Sequence, residues 1–89
     1  MVRLFVRHDV ADYSAWRKGY DGTAELRRSG GVIADGIYVS LENGNDVTVF
    51  NDFESAETAQ AFAASPELKA AMQELGVVGA PTMWFTKEA

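Results

Sequence analysis

Arg7, His8, Asp12, Tyr13, Trp16 and Tyr20 gather most of the chemistry this chain can offer into one short stretch, and His8 is its only histidine. An imidazole can take up and return a proton near neutral pH. Asn51, in a later strand-like segment, shares the parity that would turn both side chains toward the same face of a sheet. Read as the same end of two adjacent parallel strands, His8 and Asn51 converge. That pair suits proton abstraction beside a carbonyl, with the amide donating to the developing enolate or phenolate oxygen. An anion formed in this way can react with oxygen or close a ring with no metal and no cofactor. Tyr13, Trp16 and Tyr20 fall within about 60° of one another at ~100° per residue, so they form one helical face that could roof a small-ligand pocket. A hydroxyl of Tyr13 or Tyr20 that reached inside would supply a second acid.

Each position also has a plainer structural role. His8 could be held by Asp9 or Asp12, Asn51 could satisfy backbone at a strand end, and the three rings could be core. Asp12 is first of all a helix cap. Glu67, Lys69 and Glu74 read as a solvated helix face.

The 89 residues make one domain, 1–89, at a size where a single core only marginally offsets the entropy of folding. With no cysteine and one histidine, disulfides, thiolate metal sites and the usual zinc or haem sites are not expected. A formal net charge of -5 without a basic cluster argues against nucleic acid and anionic membranes as partners. The chain runs from Met1 directly into strand-like alternation, without a basic and apolar leader or a long apolar run, so a cytoplasmic location is expected.

The elements that must position these residues follow from periodicity and caps. Val2 to His8 alternates as a strand. Asp12 caps a helix that Gly19 and Gly22 weaken near Tyr20, that resumes from Glu25 to Arg28, and that Gly30 and Gly31 end. Val32 to Leu41 and Val47 to Phe53 read as a hairpin around Asn43 and Gly44, both able to take positive φ. Ser55 caps an alanine-rich helix, and Ser65 with Pro66 restarts it. Gly76 stops the helix, a glycine-bearing loop runs to Pro81, and Met83 to Phe85 forms a short last strand. The order βαββαβ implies an α+β, ferredoxin-like split βαβ: a four-stranded antiparallel sheet with the helices on one face.

Strand parity leaves Arg3, Phe5, Arg7, Tyr38, Thr48, Phe50, Asp52 and Trp84 on the sheet face away from the helices. Such an aromatic patch is rarely left open on a soluble monomer. A second copy is therefore expected to cover it, with Arg3 or Arg7 paired to Asp52 at the interface, although arginine stems lying over the rings would be an alternative cover.

The pattern His8, Val10, Asp12, Tyr13, Trp16, with the run from Phe62 to Met72 and then Gly76 to Pro81, resembles small bacterial proteins of the dimeric α+β barrel superfamily, which includes antibiotic biosynthesis monooxygenase domains. The resemblance implies a homodimer with a cleft between helices and sheet in each subunit. It also implies a cofactor-independent monooxygenase or cyclase acting on an aromatic or enolisable, polyketide-like molecule. Haem-degrading relatives carry their histidine on a helix, and a lone histidine at a strand end departs from that pattern despite Asn51 and Trp16. The competing expectation is a ligand-binding or stress-related dimeric barrel without chemistry.

Overall fold

A computed structural model describes all 89 residues. In chain order the elements are β1 (Val2–Val10), α1 (Tyr13–Asp21), α2 (Ala24–Ser29), β2 (Ala34–Val39), β3 (Asp46–Phe53), α3 (Ala56–Ala63), α4 (Pro66–Glu74) and β4 (Val77–Lys87). The four strands form one antiparallel sheet in the order β2-β3-β1-β4, with the helices on one face. This is the ferredoxin-like α+β arrangement expected from the element order.

The helix starts are local chemistry. Asp12, Ser55 and Ser65 each stand in extended backbone and accept a hydrogen bond from the amide three residues on, at Ala15, Thr58 and Leu68. Both helical segments are broken, at Gly22–Thr23 and at Ala64–Ser65, the second just before Pro66 restarts the helix. Gly31 leaves α2 with φ +92°, and a Cβ there would stand 2.5 Å from Thr58 Cγ2. Gly31→Ala is therefore expected to lower stability by about 1–3 kcal/mol, read as a fall in Tm with unchanged circular dichroism; an unchanged Tm would show that the backbone can relax there.

Three expectations are corrected. β1 and β3 do lie side by side, but they run antiparallel, because β1 and β2 are the parallel pair of the split unit and β3 returns between them. The connection from β2 to β3 is not a tight positive-φ turn: it spans residues 40–45, Gly44 does not take positive φ, and the Asn43 side chain accepts from the Asn45 amide instead. The last strand begins at Val77, not Met83. Gly79, Ala80 and Pro81 form a bulge opposite His8, between the pairs Arg7↔Thr82 and Asp9↔Val78, which is where a proline and a positive-φ glycine fit within a strand.

The core is in two parts on the helix side of the sheet. Leu4, Val6 and Phe53 pack with Ala59 and Phe62, while Val10, Val47 and Val49 pack with Trp16 and Tyr20. Phe85 has the helix-side parity but lies on the edge strand and stays exposed. On the other face an aromatic row crosses the whole sheet. Trp84 stacks on Phe5 at 5.2 Å between centroids, Phe5 lies 6.5 Å from Phe50, and Phe50 lies 6.2 Å from Tyr38. Arg3 stacks over Phe50 at 3.9 Å and holds Asp52 through two hydrogen bonds, of 2.7 and 2.9 Å. Arg7 takes Asp46 instead of Asp52, at 2.6 and 3.0 Å.

Candidate functional site

His8 and Asn51 are both buried on the helix side, 7% and 4% exposed. They do not form a couple. The antiparallel register sets His8 opposite Val47 and Asn51 opposite Leu4, four residues apart along β1, or about 14 Å at ~3.4 Å per residue. Val6 and Val49, which face each other in the register, lie between them. All four line one cavity of about 50 Å³ at the seam between the two parts of the core. Trp16 and Tyr20 wall it from α1, Thr23, Leu26 and Arg27 from the α2 segment, and Phe62, Leu68, Ala71, Met72 and Leu75 from α3 and the α4 segment.

Neither ring nitrogen of His8 has a hydrogen-bond partner, and nor does Asn51 Oδ1. The expected alternative of a histidine held by a carboxylate is thus not what the fold provides: Asp12 caps α1, and Asp9 and Asp46 act on His8 only through space. The imidazole lies against Trp16, 5.6 Å between centroids. Burial pushes its pKa below the ordinary 6.5, against the smaller upward pull of Asp9 and Asp46, so the ring is neutral near pH 7.

Above the unfolded value near 6.5 neither state protonates this group, and stability is at its ceiling. As pH falls from there toward the lower folded value, only the unfolded chain takes up the proton and stability declines. The wild-type Tm is expected to fall from pH 7 to pH 5, and most of that slope to vanish in His8→Leu. Arg3 and Arg7 hold Asp52 and Asp46 below the usual carboxylate range, so their contribution disappears only at lower pH. Equal slopes in the two proteins would show that His8 is not the group responsible.

The aromatic stripe divides. Trp16 and Tyr20 stack on each other, 5.0 Å between centroids, and both reach the cavity. Tyr13 packs behind them, and its hydroxyl lies outside with Arg17, 3.3 Å away. The Tyr20 hydroxyl is engaged by Asp35, donating to its Oδ2 at 2.6 Å; burial and that bond raise its pKa. Neither tyrosine hydroxyl is placed as a second acid.

Arg27 and Thr23 are cavity residues that sequence reading passed over. Arg27 follows Tyr20 by seven residues, a helical repeat that could have signalled a shared face, but the break at Gly22 obscured it. No three histidine, aspartate or glutamate side chains come together in a metal-binding arrangement.

A ferredoxin-like sheet whose helices cover an apolar cavity with polar groups at both ends defines the class, a small α+β protein, and in that fold the chain resembles solved proteins of the antibiotic biosynthesis monooxygenase-like group. Solved structures bear out that likeness at the level of fold. A protein of Bordetella bronchiseptica provisionally assigned as an antibiotic biosynthesis monooxygenase superposes with a TM-score of 0.83 at 13% identity, covering 99% of this chain and 96% of that one. SnoaB, a cofactor-independent oxygenase from Streptomyces nogalater, does so with a TM-score of 0.79 at 11% identity, over 99% and 92%. Rv0793 from Mycobacterium tuberculosis gives 0.72 at 17% identity, over 99% and 94%. No family model matches the chain, and no curated protein matches it in sequence.

Proposed function

We propose that this protein is a homodimeric, cofactor-independent monooxygenase or cyclase acting on an aromatic or enolisable, polyketide-like substrate, with His8 as general base. The observation that carries this reading is the buried, neutral imidazole without a partner at the wall of an apolar cavity. A buried polar group left unsatisfied costs stability, and such groups cluster where chemistry needs them. Likeness in fold to SnoaB, a cofactor-independent oxygenase, adds support by analogy for oxygenation without a cofactor.

In this reading His8 takes a proton from an activated C–H or phenolic O–H. The resulting anion adds to dioxygen, and the hydroperoxide loses water to leave a carbonyl, with one oxygen atom in the product and one in water. Intramolecular attack of the same anion on a carbonyl gives ring closure instead. Asn51 is too far away to serve the oxygen next to His8. In this reading it binds the opposite end of a molecule lying along Val6 and Val49, which favours a substrate of several fused rings.

The cavity as it stands has room for a few water molecules. Entry requires its wall to move. Leu68 and Met72 on α4 separate it from an outer groove of about 590 Å³ between α4 and β4, and α4 has no fully buried residue. Unbranched methionine yields readily, which makes this wall the entrance. No helix is long and apolar enough to cross a membrane.

The test is oxygen uptake and product analysis with anthrone and polycyclic hydroquinones, in parallel with the shift each compound causes in Tm. Turnover above buffer that requires His8 supports the enzyme. Ligand-dependent stabilisation without turnover supports the non-catalytic binding protein, and neither response means the cavity is not a ligand site for this class.

A further inference from the structure

The five arginines fall into two groups. Arg3, Arg7, Arg17 and Arg28 each donate a hydrogen bond to a carboxylate, and their side chains are 44–75% exposed. Arg27 is the most buried, 14% exposed, yet its nearest carboxylate oxygen, Asp35 Oδ2, lies 3.7 Å from Nε. That oxygen already accepts from the Tyr20 hydroxyl. Nη1 of Arg27 donates to the Tyr20 carbonyl at 2.8 Å and to Thr23 Oγ1 at 2.7 Å, and Cζ lies over the Tyr20 ring, 3.9 Å from its centroid. Nη2 carries no hydrogen bond to the protein. The most deeply placed cation is thus fixed in position and incompletely engaged.

Its position matters. Arg27 lines the same cavity as His8, and Asp35 stands directly opposite Asn51 in the sheet register. The end of the cavity away from His8 therefore carries a fixed guanidinium and the buried Asn51 amide, whose Nδ2 is a hydrogen-bond donor. A planar guanidinium held by stacking and by one of its two Nη groups is arranged to donate from the other, and its strongest acceptor is an anionic oxygen.

We infer that Arg27 is a specificity-determining residue that selects ligands with a carboxylate or phenolate oxygen at the end remote from the atom facing His8. Asn51 Nδ2 donates the neighbouring hydrogen bond, and Asp35 with Tyr20 holds the guanidinium without satisfying it. The inference rests on the reading of the cavity as a ligand site.

A matched pair of probes tests it: 2-naphthoate and the uncharged 2-naphthalenemethanol, titrated calorimetrically into the full-length protein. The acid is expected to bind about tenfold or more tightly than the alcohol, the usual scale for a hydrogen bond to a charged group. Arg27→Gln, checked for folding by its Tm, is expected to bring the ratio close to one by weakening the acid alone. Equal binding of the two probes to wild type, or a ratio that survives in Arg27→Gln, overturns the role of Arg27 while leaving the ligand site intact. Binding of neither probe removes the ligand site and the inference with it. Should Arg27→Gln not fold, the wild-type NMR signal of Arg27 Nε–H decides: it must move with the acid and not with the alcohol, and an unmoved signal with bound acid refutes the assignment.

Discussion

His8→Leu is expected to be more stable than wild type and inactive. His8 buries one N–H donor and one acceptor with no partner for either, and each such group costs about 1–3 kcal/mol. Leucine has a similar volume, carries neither group, and meets an apolar neighbourhood of Val6, Val49, Trp16 and Leu75. A net gain of about 1–3 kcal/mol follows, which in a domain of this size raises Tm by roughly 4–8 °C per kcal/mol. The same substitution removes the general base. With any substrate found by oxygen uptake, kcat is expected to fall by about 10²- to 10⁴-fold. Stability and activity moving in opposite directions is the signature of a residue retained for chemistry at a cost to folding. A lower Tm with residual turnover would instead assign His8 to packing. His8→Ala separates the two terms further: it loses the base and leaves a space, so activity falls as far while Tm changes little.

The same residue shows what could be read in the sequence and what could not. The burial of His8, the caps at Asp12, Ser55 and Ser65, and the sheet face of each strand residue depend on nearest neighbours and a period of two, so they are written locally. The direction of β3 against β1 is a property of the whole path of the chain. Reading it as parallel brought His8 and Asn51 together, where the antiparallel register holds them four residues apart. At β4 the glycine and proline that read as a loop are a bulge, because the pairing of Val77 and Val78 with Val10 and Asp9 resumes beyond them. Arg27 was illegible for another reason. The role inferred for it comes from a carboxylate that it approaches to 3.7 Å without a hydrogen bond, which no spacing of residues records.

The outer face of the sheet carries the second large effect. Trp84 is 40% exposed and Tyr38 64% exposed at the two ends of an aromatic row that continues through Phe5 and Phe50. Ion pairs from Arg3 to Asp52 and from Arg7 to Asp46 flank that row, so the face offers an apolar centre with a charged rim, the usual make-up of a stable interface. Both ion pairs are complete within one chain, so a second copy need not supply partners for them and can bind through the rings. In the proposed homodimer the wild-type protein sediments at twice its 9.7 kDa. Trp84→Lys places an ammonium group where the partner sheet would lie, and truncation of a tryptophan hot spot in an interface alone commonly costs 2 kcal/mol or more, at least about 30-fold in dissociation constant. The variant is expected to sediment as a folded monomer at micromolar concentration, with a far-ultraviolet spectrum close to wild type and a lower, concentration-independent Tm. A variant that remains dimeric would move the interface elsewhere. A wild-type protein already monomeric at that concentration would leave the row covered only by its own arginine stems, and a face that tolerates water would then need another explanation for its four rings.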